Sequence, residues 1–154
     1  MGYCTSFEGS FKLNKKLHPK LHEFLNKLAE TRRMKRKVSE GLYGVEGEFF
    51  VDSKAEFGQD TNNPNVIDMN EPPRTQPGLW CQWEPTEDGL EIKWNDGDKF
   101  YEYVDWIEYL IKKILAPNGY VLNGQVDWRG EDFYDIGSII IKDNEVKIYE
   151  GEYR

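Results

Sequence analysis

The sequence predicts an α+β fold in which two helices pack on one face of a mainly antiparallel sheet. Two segments carry apolar residues at helical spacing, and several short segments alternate apolar with polar residues. Turn-forming residues separate consecutive strands, which favours hairpins and therefore antiparallel pairing. Because 154 residues is the length of one ordinary domain, we expect residues 1–154 to form a single domain.

The first predicted strand and helix lie at the start of the chain. Alternation over residues 3–13 predicts the strand, and Gly9 in its middle indicates a bulge. Pro19 suits the first turn of a helix, and His18 before it is expected to act as a cap. Four apolar residues follow at helical spacing: Leu21, Phe24, Leu25 and Leu28. We therefore expect a helix from residue 19 to about residue 34.

Residues 39–78 are the least regular part of the sequence. Residues 39–47 contain three glycines and are expected to form a loop, whereas residues 48–51 predict a short strand. Residues 55–78 are rich in Asn, Pro and Gly and are expected to form a long irregular loop. Such a loop inside a compact domain is usually functional or mobile.

A tryptophan-rich hairpin is expected next. Residues 79–83 and 90–94 alternate apolar and polar side chains, with turn formers at residues 85–89 between them. One face should join the core, and its members are Leu79, Cys81, Trp83, Leu90, Ile92 and Trp94. The other face holds Trp80 and Gln82, which form either a second buried layer or a binding surface.

The second predicted helix has the most regular apolar stripe in the chain: Phe100, Tyr103, Val104, Ile107, Leu110, Ile111, Ile114 and Leu115. Asp98 is its expected N-cap, and residues 117–119 should end it. The remaining predicted elements are a strand at residues 120–128, an acidic loop at 129–137 and a hairpin at 138–149 that turns at Asp143 and Asn144.

Charge is distributed unevenly along the chain, whose formal net charge is −8. Residues 1–40 contain 10 Lys and Arg against 4 Asp and Glu, a balance of +6, which leaves −14 for residues 41–154. A mostly acidic body attracts basic protein surfaces and repels nucleic-acid phosphates, which argues against direct nucleic-acid binding. Residues 32–37 contain five cations and form either a phosphate site or a solvated helix end.

Several functional classes find no support in the sequence. No apolar run reaches the roughly 18–20 residues of a membrane span, and the first residues lack a signal-peptide pattern. Cys4 and Cys81 are too few for a disulfide framework, so a cytoplasmic location is expected. Nucleotide-binding and hydrolase motifs are absent, and the two histidines, His18 and His22, lack the Glu of a zinc-protease motif. We therefore expect a non-enzymatic protein without catalytic residues, cofactor or metal ion.

The first candidate binding site combines aromatic and polar side chains. Trp80 and Trp128 offer aromatic faces, Gln82 an amide and Arg74 a guanidinium, a set that suits a nucleotide-like small molecule or a peptide. The alternative is that both tryptophans belong to the core and that Arg74 is a loop cation.

The second candidate site is acidic and consists of Asp127, Glu131, Asp132 and Asp135. These carboxylates suit contact with a host or defence protein that presents a basic surface. Two alternatives remain open, namely a metal-dependent hydrolase that uses the same carboxylates and a solvated acidic turn.

Eight segments of the chain carry a family resemblance: residues 1–9, 30–34, 58–60, 76–83, 99–101, 106–110, 122–128 and 130–132. The most specific is Gln-Pro-Gly-Leu-Trp-Cys-Gln-Trp at residues 76–83. Together they resemble a family of small uncharacterised proteins from bacterial genomes, prophages and phages, although residues 37–54 look shorter and more charged here. The resemblance implies a phage or mobile-element accessory role. We therefore expect a protein that binds and inhibits a host or defence protein, as anti-CRISPR proteins do.

Overall fold

The computed structural model describes residues 2–39, 41–52 and 60–151. The strands are β1 (Thr5–Leu13), β2 (Lys35–Arg36), β3 (Val66–Asp68), β4 (Trp83–Pro85), β5 (Glu91–Trp94), β6 (Leu122–Gly130), β7 (Ile136–Lys142) and β8 (Glu145–Glu150). The helices are α1 (Pro19–Glu30) and α2 (Tyr103–Leu110). A π-helical turn at Ile111–Leu115 and a 3-10 turn at Ala116–Asn118 continue α2, and another 3-10 turn lies at Val45–Gly47.

The arrangement of the strands confirms the predicted α+β class. Six strands form one antiparallel sheet in the order β4-β5-β1-β6-β7-β8, and β2 pairs with β3 in a small second sheet. Residues from both helices join the core cluster that covers one face of the large sheet. In the described part of the chain, no helix is long and apolar enough to cross a membrane.

The core is rich in aromatic rings that meet edge to face. Because side chains alternate along a strand, Phe7, Phe11 and Leu13 of β1 are buried on the same face. Phe7 meets Trp83 at a ring-centroid distance of 5.3 Å, and Trp83 meets Phe100 at 5.2 Å. Burial of each such side chain contributes about 1.5–3 kcal/mol, so this cluster is the main source of stability.

The bulge predicted at Gly9 is wrong. β1 pairs with β6 without interruption from Thr5 to Leu13, and Gly9 lies opposite Val126. Gly9 is needed for a different reason: its φ is +104°, and a Cβ there would lie 2.6 Å from the carbonyl oxygen of Gln125. The glycine therefore allows a close approach of two strands instead of accommodating an extra residue.

Helix α1 begins as predicted and ends earlier than predicted. His18 acts as the cap, since its Nδ1 accepts a hydrogen bond from the backbone N–H of Lys20 at 3.2 Å. The extension to residue 34 is wrong because Thr31 is extended, and its hydroxyl donates to the carbonyl oxygen of Lys27 at 2.6 Å. That side-chain bond occupies a carbonyl of the last turn. The basic run after it is therefore not a helix end.

The strand predicted at residues 48–51 is also wrong. The N–H of Glu48 donates to the carbonyl of Val45 at 3.1 Å, and the N–H of Phe50 donates to that of Gly47 at 2.9 Å, so the chain turns here. Of the loop predicted at residues 55–78, residues 55–59 lie outside the described part. The described remainder contains β3, which the sequence did not predict.

The tryptophan-rich hairpin is confirmed, with a shorter first strand. β4 begins at Trp83, which pairs with Trp94, whereas residues 79–82 are irregular. Cys81 is buried on the predicted core face. Leu90 was assigned to the same face and is 44% exposed, because it still lies in the turn before β5.

The second helix has the predicted apolar stripe but begins later than predicted. Asp98 is not the N-cap, because α2 starts after Glu102, whose backbone is left-handed with φ of 58°. Trp106 and Tyr109 are buried together with the predicted stripe. Gly119 ends the helical region with φ of 82°, as expected.

The C-terminal hairpin is confirmed. β7 and β8 pair from Gly137 opposite Glu150 to Lys142 opposite Glu145. The φ values of Asp143 and Asn144 between them are 49° and 70°, which is the left-handed pair that a two-residue hairpin turn requires.

Candidate functional sites

The four residues predicted to bind a ligand do not lie together. Trp80 and Gln82 line one cavity of about 820 Å³. Arg74 lies elsewhere, with its Nε 3.3 Å from Glu46 Oε1. Trp128 is buried in the core and borders a different cavity of about 690 Å³. Only Trp80 and Gln82 therefore share a site.

We call that site the Trp80 cavity. It lies between the end of α1, residues 78–82 and residues 95–101. Its walls include Ala29, Gly78, Leu79, Trp80, Gln82 and Tyr101. The lining also contains three charged and exposed residues, Glu30, Asp98 and Lys99, together with Asn95 and Gly97. A concave site with aromatic walls is typical of small-molecule binding.

Gln82 uses its amide to build this cavity. Its Oε1 accepts a hydrogen bond from the indole N–H of Trp94 at 3.1 Å, and its Nε2 donates to the carbonyl oxygen of Asp98 at 2.6 Å. Its backbone carbonyl accepts the N–H of Asn95 at 2.9 Å. These bonds join the segment before β4 to the loop after β5, so Gln82 fixes the shape of the wall.

A buried donor lies behind the wall at Gly78. Trp106 is 0% exposed, and its indole N–H has no hydrogen-bond acceptor among the described residues. A Cβ on Gly78 would lie 3.5 Å from this nitrogen, which is an ordinary van der Waals contact. A buried polar group without a partner costs about 1–3 kcal/mol. The sequence did not indicate this residue, because an unpartnered donor is visible only in the packed structure.

The charges around the Trp80 cavity are mainly negative. Glu30 and Asp98 line it together with one cation, Lys99. Burial raises the pKa of the nearby Glu84 carboxyl, and the charges of Glu30 and Asp96 raise it further, while Lys93 opposes them. This environment disfavours an anionic ligand such as a phosphate ester.

The second predicted site is an exposed turn between β6 and β7, which we call the acidic turn (Glu131–Asp135). Asp135 accepts hydrogen bonds from the Tyr3 hydroxyl at 2.7 Å and from the indole N–H of Trp128 at 3.0 Å. Glu131 Oε1 accepts the backbone N–H of Cys4 at 2.8 Å. Two of the predicted partner-binding carboxylates therefore hold the base of the turn against the start of the chain.

The tip of the acidic turn carries two large exposed aromatic rings. Phe133 is 86% exposed and Tyr134 is 72% exposed. The two rings meet edge to face, with centroids 5.7 Å apart. Asp132 beside them is also exposed. The sequence predicted a binding role only for the carboxylates of this loop, because exposure of an aromatic residue cannot be read from composition.

Asp127 lies on β6, away from the tip of the acidic turn. Its Oδ1 accepts hydrogen bonds from the Ser138 hydroxyl at 2.6 Å and from Gln125 Nε2 at 2.9 Å. Across the described ranges, no three His, Cys, Asp or Glu side chains are grouped so that they could hold a metal ion. The hydrolase alternative therefore has no ligand set in this part of the chain.

The basic run at residues 32–37 is largely internal. Arg33 is 2% exposed and Arg36 is 4% exposed, so neither a solvated helix end nor an open phosphate site describes the run. The guanidinium of Arg33 donates to the carbonyl oxygen of Phe50 at 2.5 Å, to that of Glu48 and to Gln76 Oε1 at 3.3 Å.

Two further bonds extend this arrangement, which we call the Arg33 network (Arg33, Glu48, Phe50, Gln76 and Tyr109). The Tyr109 hydroxyl donates to Glu48 Oε1 at 3.0 Å and accepts from Gln76 Nε2 at 3.1 Å. Burial lowers the pKa of Arg33 to about 10 and raises that of Tyr109. The network is a structural element that ties residues 41–52 to α2.

Comparison of the chain with protein-family models, with curated proteins and with solved structures gave no match.

Proposed function

We propose that the protein is a non-enzymatic binding protein that occupies a basic surface on another protein. The partner would be a host or defence protein of the kind that the family resemblance implies. The observation that carries this proposal is the exposure of Phe133 and Tyr134, at 86% and 72%, on an acidic turn. A cytoplasmic location fits it, since Cys4 and Cys81 are free thiols.

Adjacent exposed aromatic rings are well suited to anchor a protein interface. Aromatic side chains are enriched at interface centres, where truncation of one ring often costs 2 kcal/mol or more, as an order of magnitude. Phe133 and Tyr134 meet each other and are exposed to solvent over most of their surface, so a partner would bury a large apolar area. Such area contributes nothing to folding and is available for binding.

The base of the acidic turn supports a rigid presentation of these rings. The N–H of Asp135 donates to the carbonyl of Asp132 at 2.9 Å, and the N–H of Gly130 donates to that of Asp135 at 2.7 Å. The Tyr3 hydroxyl accepts the N–H of Asp132 at 3.1 Å. Since the turn is already ordered, binding loses less conformational entropy than it would with a flexible loop.

The negative charge of the acidic turn and of the rest of the chain favours a partner with a basic surface. Glu131, Asp132 and Asp135 flank the two aromatic residues in the sequence, and the chain from residue 41 to 154 has a charge balance of −14. A basic protein surface is attracted to such a field, which raises the association rate and is weakened by salt.

The experiment is affinity capture from host cells, followed by titration of the purified captured protein. The double variant Phe133→Ser, Tyr134→Ser should weaken binding at least tenfold, mainly through faster dissociation. The charge reversal Glu131→Lys, Asp132→Lys should slow association and remove most of its salt dependence.

The matched control is Trp80→Leu, which changes an aromatic residue far from the turn in sequence and should leave partner affinity unchanged. Equal binding of the wild type and both turn variants, or affinity that is indifferent to salt, would contradict the proposal. No observation in the described residues favours a metal-dependent hydrolase.

A further inference from the structure

The last strand of the large sheet, β8, uses one of its two edges for pairing. It pairs with β7 and stands at the end of the strand order. Gly151 donates its N–H to the carbonyl oxygen of Ile136 and continues the register of this pair. Odd-numbered residues of β8 therefore direct their backbone groups toward β7, and the even-numbered residues, Val146, Ile148 and Glu150, direct theirs outward.

The two ends of the large sheet differ in how well they resist further pairing. Among the described residues, none bonds to the outward backbone groups of Val146, Ile148 and Glu150. At the other end, β4 is only three residues long and finishes at Pro85. A short strand and a proline protect an edge, whereas β8 has six residues and no proline. The β8 edge is therefore the end at which another strand can be added.

The charge at this edge suits a second copy of the chain. The whole chain has a net charge of −8, so two copies repel each other at long range. The strands β7 and β8 are neutral together, because they contain two lysines and two glutamates, namely Lys142, Lys147, Glu145 and Glu150. A copy can therefore approach this edge without net repulsion, whereas a basic partner would be attracted to the acidic turn.

Two antiparallel β8 strands have one favourable register. With the two-fold axis at Ile148, Val146 of one copy lies opposite Glu150 of the other, so all three outward residues form hydrogen-bonded pairs. With the axis at Lys147, Glu150 has no opposite residue in β8, and two lysines lie opposite each other, which is unfavourable. With the axis at Tyr149, Val146 has no opposite residue in β8. Hydrogen bonding and charge therefore both favour the axis at Ile148.

Ile148 adds an apolar contact to this pairing. It lies opposite Ile139 of β7, which is 0% exposed, yet Ile148 itself is 40% exposed. At the two-fold axis, the Ile148 side chains of both copies would lie next to each other and cover part of this apolar surface.

We propose that the protein forms a homodimer in which the β8 strands of two copies pair antiparallel about a two-fold axis at Ile148. The pairing joins two six-stranded sheets into one. Both ends of the joined sheet are then β4 strands, which are protected, so assembly stops at the dimer. A contact along one strand buries less than the roughly 1,200 Å² of a standard interface, so the dimer should be weak. The inference does not depend on the proposed protein partner.

The test is sedimentation equilibrium of the purified wild-type protein at micromolar to millimolar concentrations. The mass in solution should rise with concentration from 18.1 kDa toward twice that value and no further. Amide hydrogen exchange at low and high concentration locates the contact. The N–H groups of Val146, Ile148 and Glu150 should exchange more slowly at high concentration, whereas those of Phe133 and Tyr134 should not change.

Substitutions of Ile148 test the position of the axis. Ile148→Lys and Ile148→Glu each place two like charges opposite each other and should weaken dimerisation about tenfold. An equal mixture of the two variants places opposite charges next to each other and should form a mixed dimer, which also shows that both variants fold. Leu90→Lys is the matched control, because Leu90 is 44% exposed and precedes β5, and it should leave dimerisation unchanged.

Three results would overturn the inference. The first is a mass of 18.1 kDa at every concentration of the wild type, which needs no variant to fold. The second is slower exchange at Phe133 and Tyr134 in place of the β8 amides, and the third is a mixture of the two Ile148 variants that stays monomeric. The capture experiment uses other variants and another readout, so failure of one proposal is distinguishable from failure of the other.

Discussion

Two charged segments of this protein are used in opposite ways. The basic run at residues 32–37 places Arg33 and Arg36 inside the molecule, at 2% and 4% exposure. The acidic turn leaves Asp132, Phe133 and Tyr134 in solvent and uses Asp135 and Glu131 only at its base. From sequence, both are short runs of like charge that would ordinarily be placed on the surface.

The basic run is buried and the acidic turn is exposed because the backbone near Arg33 lacks hydrogen-bond donors, whereas the backbone of the acidic turn does not. Residues 48–50 turn without strand pairing, so the carbonyl oxygens of Glu48 and Phe50 need donors from elsewhere. A guanidinium has five N–H donors in a fixed plane, and Arg33 supplies them. The acidic turn connects two paired strands, β6 and β7, and closes its own backbone hydrogen bonds. The exposed side chains at its tip, Asp132, Phe133 and Tyr134, are therefore available for binding.

The largest expected effect comes from removing the buried cation. Arg33→Met leaves the carbonyl oxygens of Glu48 and Phe50 and the amide oxygen of Gln76 without their donor. Removing one charged member of a buried network costs about 3–5 kcal/mol, so we expect the free energy of unfolding to fall by about this amount. Chemical denaturation monitored by tryptophan fluorescence measures it.

The control for this prediction is Arg129→Met, which removes an exposed arginine of β6. An exposed substitution changes stability by less than about 0.5 kcal/mol. Similar losses in the two variants would show that the Arg33 network does not stabilise the fold, and the contrast between the two charged segments would then fail.

A smaller loss of stability is expected from a substitution at the base of the acidic turn. Asp135→Ala leaves the Tyr3 hydroxyl and the Trp128 indole without their acceptor, which should cost about 1–3 kcal/mol. The thermal midpoint measures this loss, and Asp132→Ala at the exposed tip is the matched control. If Asp135→Ala were as stable as the control, the turn would not be held by these bonds.

The part of the fold that local periodicity controls could be predicted from the sequence. The start of α1, the apolar stripe of α2 and the C-terminal hairpin are examples, since each pattern lies within one segment. The errors at residues 31–51 arise because distant groups decide the structure there. Arg33 donates a hydrogen bond to Gln76, and Tyr109 donates one to Glu48. The members of each pair are too far apart in the sequence for a local pattern to include both.

The candidate sites were predictable to a lesser degree. Trp80 and Gln82 line one cavity, but Leu79, which alternation assigned to the core face, lines it too, because residues 79–82 are irregular. Trp106 was missed because a donor lacks its acceptor only as a result of tertiary packing. Phe133 was missed because most aromatic residues are buried, and only the structure shows which ones are not.

Alkaline pH should destabilise the interior beside the Arg33 network. Burial raises the pKa of the Cys81 thiol from 9.0 to about 12. Between these values the unfolded chain loses the proton while the folded protein keeps it, so stability is full below pH 9 and falls as pH rises. The slope for one proton is at most about 1.4 kcal/mol per pH unit.

Denaturation at pH 8, 9 and 10 measures this slope, and Cys81→Ala should flatten it between pH 9 and 10. Slopes are compared because the variant also loses packing at every pH. Cys4→Ala removes the half-buried thiol and serves as the control. An unchanged slope in Cys81→Ala would mean that the buried thiol is not responsible for alkaline sensitivity.

The smallest expected effect on stability is at the tip of the acidic turn. Phe133 and Tyr134 bury little surface in the folded protein, so replacing both with Ser should change the free energy of unfolding by less than about 0.5 kcal/mol. The same double variant is expected to weaken partner binding at least tenfold. Different segments would then stabilise the complex and the fold: the exposed rings would stabilise the complex with the partner, and Arg33 would stabilise the folded protein. A loss of stability comparable to that of Arg33→Met would instead show that the two rings stabilise the fold. The acidic turn and the basic run would then both have a structural role.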